Sequence, residues 1–142
     1  MGYTHYMHHF EDVSEEDFNA FREDLDAIVE QADIPLERFL SEDDVVCLDA
    51  VEGCETFHIF RTTGQYRDNP WGPDRDYKFS FCKTRRLPYD QIVCAGYIAL
   101  KHHAGDAVEL RSDGCFESDW ATGVALYLEA TGRSEDGLPS FT

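Results

Sequence analysis

The chain has 142 residues, and its 42% hydrophobic and 13% aromatic content is enough for one domain with a real core. Its 29 acidic and 12 basic residues give a net charge of −17. This charge argues against non-specific nucleic-acid binding, which needs a basic face, and against docking on anionic lipid. No apolar run approaches the roughly 20 residues of a membrane-spanning helix, so we expect no membrane segment.

The basic residues are skewed towards arginine, with three lysines against nine arginines. In multimolar salt the Debye length falls to about 3 Å or less, so an acidic surface that repels itself in dilute buffer is screened. An acid-rich, lysine-poor surface is typical of proteins that work in such salt. We therefore expect a halophilic source, with an ordinary acidic mesophilic protein as the alternative.

The first half of the chain predicts a strand, a helix and then two paired strands. The aromatic stretch "YTHYMHHF" (3–10) favours a strand, and because no basic or apolar leader precedes it we expect no signal peptide. Ser14 is a predicted N-cap, followed by acids that favour a helix N-terminus. A helical apolar stripe follows at positions 18, 21, 25, 28, 29 and 32. Residues 45–51 and 56–62 read as a hairpin around Gly53.

A long segment without periodicity (64–76) separates this hairpin from the next predicted strand. It contains Tyr66 and Trp71 among turn-forming residues, so it is either a surface loop pinned by Trp71 or a functional lid. The strand that follows (77–83) places Tyr77, Phe79 and Phe81 on one face.

Two further helices and a strand complete the chain. Pro88 is the predicted first residue of a helix that ends near Gly105. A strand at 107–114 follows, and Ser118 or Asp119 is the predicted cap of a last helix, with Gly132 just past its end.

The resulting order, β-α-β-β-β-α-β-α, predicts an α+β two-layer sandwich. We expect a single mixed or antiparallel sheet of about five strands, covered on one face by three helices, with a ferredoxin-like core plus one strand as one threading. The aromatic faces of 3–10 and 77–83 should lie in that sheet beneath the helices. Residues 1–133 form the predicted domain, and 134–142 a loose tail.

Three stretches of the chain carry a recognisable pattern: "GYTHY" (2–6), "FSFCKTRRLPYDQIV" (79–93) and "SDG…SDW" (112–120). Together they resemble an uncharacterised family found in tailed phages, other large DNA viruses and bacteria that carry prophages. The family patterns are GYTHYW, FCKT-x-x-x-PYD and SDG…W, in the same order. Met7 departs from the family, which has a tryptophan there. The resemblance implies a viral or prophage origin, and with the composition it implies a virus of a halophilic archaeon.

The residue types that carry catalysis show no strong motif. Five cysteines, an odd number without a dense pattern, predict free thiols rather than a disulfide framework. The pairs at 8–9 and 102–103 hold adjacent histidines that diverge, so neither clamps a metal by itself, although a zinc site from scattered residues stays open. Cys82 beside Lys83 is a weak candidate nucleophile, with His5 or His58 as its base. Residues 112–114 are expected to form a turn. We expect no cofactor.

One basic loop stands out in so acidic a chain. Lys83, Thr84, Arg85 and Arg86 lie between a predicted strand and a predicted helix N-terminus, which together resemble an anion cradle. We predict that this loop, with Tyr89 beside it and Trp71 or Tyr66 covering it, is a ligand site. The alternatives are pairing with the protein's own carboxylates, Asp90 included, or contact with a partner's acidic surface.

The predicted function is that of a small non-enzymatic accessory protein in the host cytoplasm. It would bind a phosphate-bearing small molecule or a host protein through the basic loop, and an oligomer remains open. The alternative is a structural component of the virion, such as a capsid-surface, connector or tail protein.

Overall fold

The computed structural model describes residues 3–68 and 79–139. Trp71 and Tyr77 therefore lie outside the described residues. The elements in chain order are β1 (Thr4–His9), α1 (Glu15–Ala32), β2 (Leu36–Glu42), β3 (Val45–Ala50), β4 (Phe57–Phe60), β5 (Phe79–Lys83), α2 (Asp90–Ala104), β6 (Val108–Ser112) and α3 (Ala121–Thr131). Short 3-10 turns lie at Thr63–Asp68, Gly105–Ala107 and Glu135–Gly137.

The strands form two small antiparallel sheets, with the orders β5-β1-β6 and β2-β3-β4. The α+β class and the three helices are confirmed, but the single sheet of about five strands is wrong. The hairpin of β3 and β4 forms as predicted. The strand that sequence reasoning missed, β2, has mostly half-buried or exposed side chains, so its alternation of apolar and polar residues is weak.

The two sheets stay separate because a carboxylate ends the backbone pairing where they approach each other. Glu55 N–H donates to the Lys83 carbonyl (3.0 Å), and Lys83 N–H donates to the Glu55 carboxylate (2.7 Å). A side chain thus takes the N–H that a continuing ladder would give to a backbone carbonyl. The Tyr89 hydroxyl donates to the Glu55 carbonyl (2.9 Å) and fixes this junction against α2.

The helix α1 follows its sequence signals closely. The Ser14 hydroxyl accepts a hydrogen bond from Asp17 N–H (3.1 Å), and the predicted stripe is buried at Phe18, Phe21, Leu25 and Ile28. These residues pack into one hydrophobic cluster with the buried faces of α2 and α3.

The other two helices begin later than predicted. Residues before α2 form a turn, in which Asp90 N–H donates to the Leu87 carbonyl (2.8 Å), so the helix starts at Asp90 rather than Pro88. Neither predicted cap serves α3, because the Asp119 carboxylate instead accepts from Cys115 N–H (2.7 Å). Gly132 lies past the end of α3 with φ 73°, a left-handed conformation that suits glycine.

The face of the first sheet that meets the core differs from the predicted one. The strands 3–10 and 77–83 share a sheet as expected, through the pairing of β1 with β5. However, the aromatic face with Tyr6, Phe79 and Phe81 is only half-buried. The smaller side chains of Ser80 and Cys82 are fully buried on the opposite face. Placing the small side chains inward leaves room for the rings that α2 and α3 send against β1.

Among the described residues, no helix is long and apolar enough to cross a bilayer.

Candidate functional site

A chain of hydrogen bonds crosses the interior from β6 through β1 to α2. Its centre is His5, which is completely buried in β1. His5 Nδ1 lies 2.7 Å from Ser112 Oγ, and His5 Nε2 lies 2.6 Å from Asp90 Oδ1. A serine, a histidine and an aspartate are therefore linked in one line.

The fold places each of these residues by ordinary rules of register and helix geometry. Antiparallel pairing sets His5 directly opposite Ser112, so both side chains leave the sheet on the same face. Asp90 is the first residue of α2, where the positive end of the helix dipole favours a carboxylate. The central strand of the sheet is thereby tied to the helix above it.

Asp90 is held as a carboxylate by its donors. Besides His5, it accepts hydrogen bonds from the Thr84 hydroxyl (2.5 Å) and from the Cys94 thiol (3.6 Å). Burial alone would raise the pKa of Asp90, but the hydrogen bonds from His5 and Thr84 outweigh it and leave that pKa below its ordinary value. The ionised acid can therefore orient the imidazole.

The hydrogen bonds at Ser112 determine which atom carries the proton in the bonds from Ser112 to His5 and from His5 to Asp90. Its Oγ accepts from the backbone N–H of Gly114 (2.9 Å) and from the indole N–H of Trp120 (3.1 Å), which uses both lone pairs. The serine proton is therefore donated to His5 Nδ1. The imidazole proton then lies on Nε2 and is donated to Asp90.

Aromatic rings surround the histidine and exclude water from it. Trp120 and Tyr3 meet the His5 ring edge-on, with centroids 4.8 Å and 5.0 Å away. Burial and the nearby Asp90 charge raise the pKa of Tyr3 to about 12, so its hydroxyl stays protonated. Gly114 must lack a side chain, because a Cβ there would collide with the Tyr3 hydroxyl.

The serine end of this line of hydrogen bonds borders a cavity. A pocket of about 520 Å³ is lined by Ser112 and Gly114 together with apolar walls from Leu110, Phe116 and Trp120. This volume suits a small organic ligand. A fully buried imidazole and a half-buried carboxylate thus lie behind a half-buried serine that lines the pocket.

The same histidine also belongs to a possible metal-ligand set. Donor atoms of His5, Asp90 and Cys94 all lie within 4.8 Å of one another, and this set was not predicted from the sequence. A metal would need the lone pair of Nε2, which carries the proton in the tautomer assigned above. Burial and the neighbouring Asp90 charge also raise the pKa of the Cys94 thiol, which disfavours the thiolate that a metal requires. The donor set therefore fits proton transfer better than metal binding.

The predicted thiol chemistry is not supported either. Cys82 is fully buried, and this burial raises the pKa of its thiol well above the usual range despite the neighbouring lysine. Of the two bases named in that prediction, His5 and His58, the first has Ser112 and Asp90 as its hydrogen-bond partners.

The basic loop forms a tight turn against β1. Thr84 and Leu87 close it through a backbone hydrogen bond (3.1 Å), and Arg85 and Arg86 occupy its two central positions with φ of 55° and 57°. Thr84 is fully buried and bonded to Asp90, so its hydroxyl does not face a ligand. Tyr89 is also buried, with its hydroxyl at the junction of the sheets.

The predicted anion cradle loses its helix amides, and Tyr66 does not cover it. Asp90, Gln91 and Ile92 N–H groups already donate to preceding carbonyls in the turn that leads into α2. Tyr66 is buried, with its hydroxyl accepting from Phe60 N–H (3.1 Å) near His9. That position is at the opposite end of β1, about 16 Å along the strand, so Tyr66 does not cover the loop. Trp71 lies outside the described residues.

The cations of the loop differ in their partners. Arg86 pairs with Asp119 (3.0 Å), and its guanidinium lies 3.9 Å from the centre of the Tyr3 ring. Neither Lys83 nor Arg85 has a carboxylate partner within the part of the chain that the structure describes. Arg86 therefore helps to hold the loop in place, whereas Lys83 and Arg85 are available to contact a ligand.

Sequence reasoning missed the line from Ser112 to Asp90, although its members all lie in the three stretches quoted above. Those stretches are far apart in the chain, and the structure brings them together around His5. The signal in the sequence was that these three motifs, and no others, carry the resemblance to a family.

Comparison with protein-family models, curated proteins and solved structures returned no significant match, so function has to be inferred from the geometry of the described residues.

Proposed function

We propose that the chain is a small acidic accessory protein of a halophilic virus or prophage, and that it binds a phosphate-bearing molecule or a protein partner through residues 83–86. The observation that supports this proposal concerns Arg85. Of the arginines whose side chains the structure describes, six form ion pairs with carboxylates, and Arg85 does not. The six are Arg22, Arg38, Arg61, Arg86, Arg111 and Arg133.

The backbone of the loop supports a role beyond solubility. Arg85 and Arg86 are consecutive residues with positive φ, a conformation that ordinarily selects asparagine or glycine in a two-residue turn. Each costs on the order of 1 kcal/mol or more, and such strain is maintained where the surroundings impose it. Here the Tyr3 carbonyl accepts from both Thr84 N–H (3.0 Å) and Arg85 N–H (3.4 Å), which anchors the turn.

The three cations have distinct tasks in this proposal. Arg86 holds the loop in place through Asp119 and Tyr3, which leaves Lys83 and Arg85 to contact the ligand. In multimolar salt a long-range field is screened, so binding depends on short contacts such as the paired hydrogen bonds of a guanidinium with phosphate. An exposed arginine is suited to that contact.

A titration with inorganic pyrophosphate tests this proposal. Isothermal titration calorimetry in about 2 M KCl should show binding to the wild-type chain. Lys83→Ala with Arg85→Ala should weaken binding by about 100-fold or more, because each lost charge-assisted hydrogen bond costs about 1.5–3 kcal/mol. The double variant Arg38→Ala with Arg111→Ala removes the same charge elsewhere and should bind as the wild type does. Equal weakening in both variants, or no binding by the wild type, would contradict the phosphate site.

The alternative proposal is a structural part of the virion. Mass spectrometry of purified particles separates the two, because a structural protein is present at many copies and an accessory protein is not. Abundant chain in the particles would overturn the accessory role.

A further inference from the structure

The line of hydrogen bonds that ends at the pocket carries an inference beyond phosphate binding. We propose that Ser112 is a nucleophile that cleaves carboxylic esters, with His5 as its base and Asp90 as the residue that positions the imidazole. The expectation of a non-enzymatic protein would then be wrong.

The proton arrangement is the first support for this inference. The serine hydroxyl donates to an unprotonated nitrogen 2.7 Å away, and the other nitrogen donates to a carboxylate 2.6 Å away. This polarity is what nucleophilic catalysis by a serine requires. The second support is the pocket that Ser112 lines, which a network built only for stability does not need.

The reaction balances with these groups and water alone. Ser112 Oγ forms a bond to the carbonyl carbon of the ester while its proton moves to His5 Nδ1. The bond from that carbon to the alcohol oxygen then breaks, and the alcohol leaves with the proton from Nδ1. Water repeats the sequence on the acyl-serine, with His5 again taking and returning one proton, and releases the carboxylic acid.

The two N–H groups at Ser112 have a role in both states. In the resting protein the Gly114 amide and the Trp120 indole polarise the hydroxyl towards the alkoxide. Once Oγ has bonded to the carbonyl carbon it is a weaker acceptor. The developing oxyanion on the same carbon then lies within reach of these donors, which would stabilise it. Attack requires at least one donor to move from Oγ to that oxygen.

The pocket walls indicate the substrate class. Leu110, Phe116 and Trp120 offer apolar surface next to Ser112, and the exposed pair of Glu109 and Arg111 lines the same cavity. We therefore infer an ester with a short aliphatic or aromatic acyl group.

The wild-type protein allows a test that does not depend on a variant's folding. A fluorophosphonate probe in about 2 M KCl should label the chain, and peptide mapping by mass spectrometry should place the adduct on Ser112. An adduct on another residue, or no adduct on the folded protein, would overturn the proposal.

Variants then connect the label to the mechanism. Ser112→Ala should hydrolyse p-nitrophenyl butyrate at least about 100-fold more slowly than the wild type. Ser118→Ala, which changes an exposed serine between β6 and α3, is the control and should hydrolyse it at the wild-type rate. Asp90→Asn should lower kcat about 100-fold or more with little change in KM, because the substrate does not touch it. Full activity in Ser112→Ala, or a change confined to KM in Asp90→Asn, would overturn the assignment.

Discussion

At the scale of single residues, His5 shows how a buried polar group is accommodated. Both of its ring nitrogens are hydrogen-bonded, Nδ1 to Ser112 and Nε2 to Asp90. Asp90 in turn accepts hydrogen bonds from Thr84 and Cys94. An unpaired buried polar group costs about 1–3 kcal/mol, so these partners stabilise the fold as well as orienting the imidazole. Losing any one of them would leave the others partly unsatisfied.

The lowered pKa of Asp90 predicts a specific loss of stability in acid. Because the pKa of Asp90 is lower in the folded protein, the carboxylate contributes its full stabilisation above the ordinary pKa of 3.8. That stabilisation is lost as the pH falls through the pKa of Asp90 in the folded protein. Asp90→Asn should therefore cost about 1.5–3 kcal/mol near neutral pH, and the gap from wild type should narrow below about pH 4.

Thermal melts of both proteins across that pH range measure the gap. Glu30→Gln, which changes an exposed carboxylate in α1, is the control and should follow the wild type throughout. If the difference in stability between the wild type and Asp90→Asn is the same at every pH, the assignment of an ionised Asp90 is contradicted.

At the scale of elements, the packing of α2 against α3 depends on close approach. A Cβ at Gly123 in α3 would lie 2.5 Å from the Cβ of Cys94 and 3.3 Å from the carbonyl oxygen of Gln91, both in α2. The first sheet is similarly constrained, because β1 is its central strand and contacts both neighbours in register. The helices hold Asp90 and Trp120 over that strand, so their spacing sets the geometry at Ser112.

Gly123→Ala should separate the two helices slightly and destabilise the fold by about 1–3 kcal/mol, because the added methyl group overpacks a buried contact. Gly64→Ala is the matched control, since a Cβ there would meet nothing within 4 Å. Chemical denaturation of both variants gives the free energies of unfolding. Equal stability of the two variants would show that the contact relaxes without cost.

At the scale of the whole molecule, the net charge of −17 dominates the energetics. The ion pairs of the described arginines neutralise only a few of the 29 acids, so mutual repulsion in dilute buffer opposes the compact state. Surface pairs are individually weak, and several of these are exposed. Screening by salt is the remaining way to lower the repulsion.

We therefore expect folding to depend on salt. Circular dichroism between about 0.1 and 3 M KCl should show structure gained and a rising melting temperature as salt increases. An unchanged cooperative melt across that range would contradict a halophilic origin and leave the acidic mesophilic alternative.

The features that the sequence alone determined are local ones. The cap at Ser14 and the stripe behind it predicted α1, and the glycine-containing link predicted the hairpin of β3 and β4, because in each case the interacting residues are near neighbours in the chain. Gly132 likewise marked the end of α3.

Only the tertiary structure decided how these elements associate. The division into two sheets depends on the Glu55 carboxylate meeting Lys83, and the line from Ser112 to Asp90 joins residues from three elements. His5 and Ser112 are 107 positions apart, and no local pattern encodes which distant residue a buried side chain will face. That choice follows from strand register and from the space left between helices, both of which are set when the whole core packs.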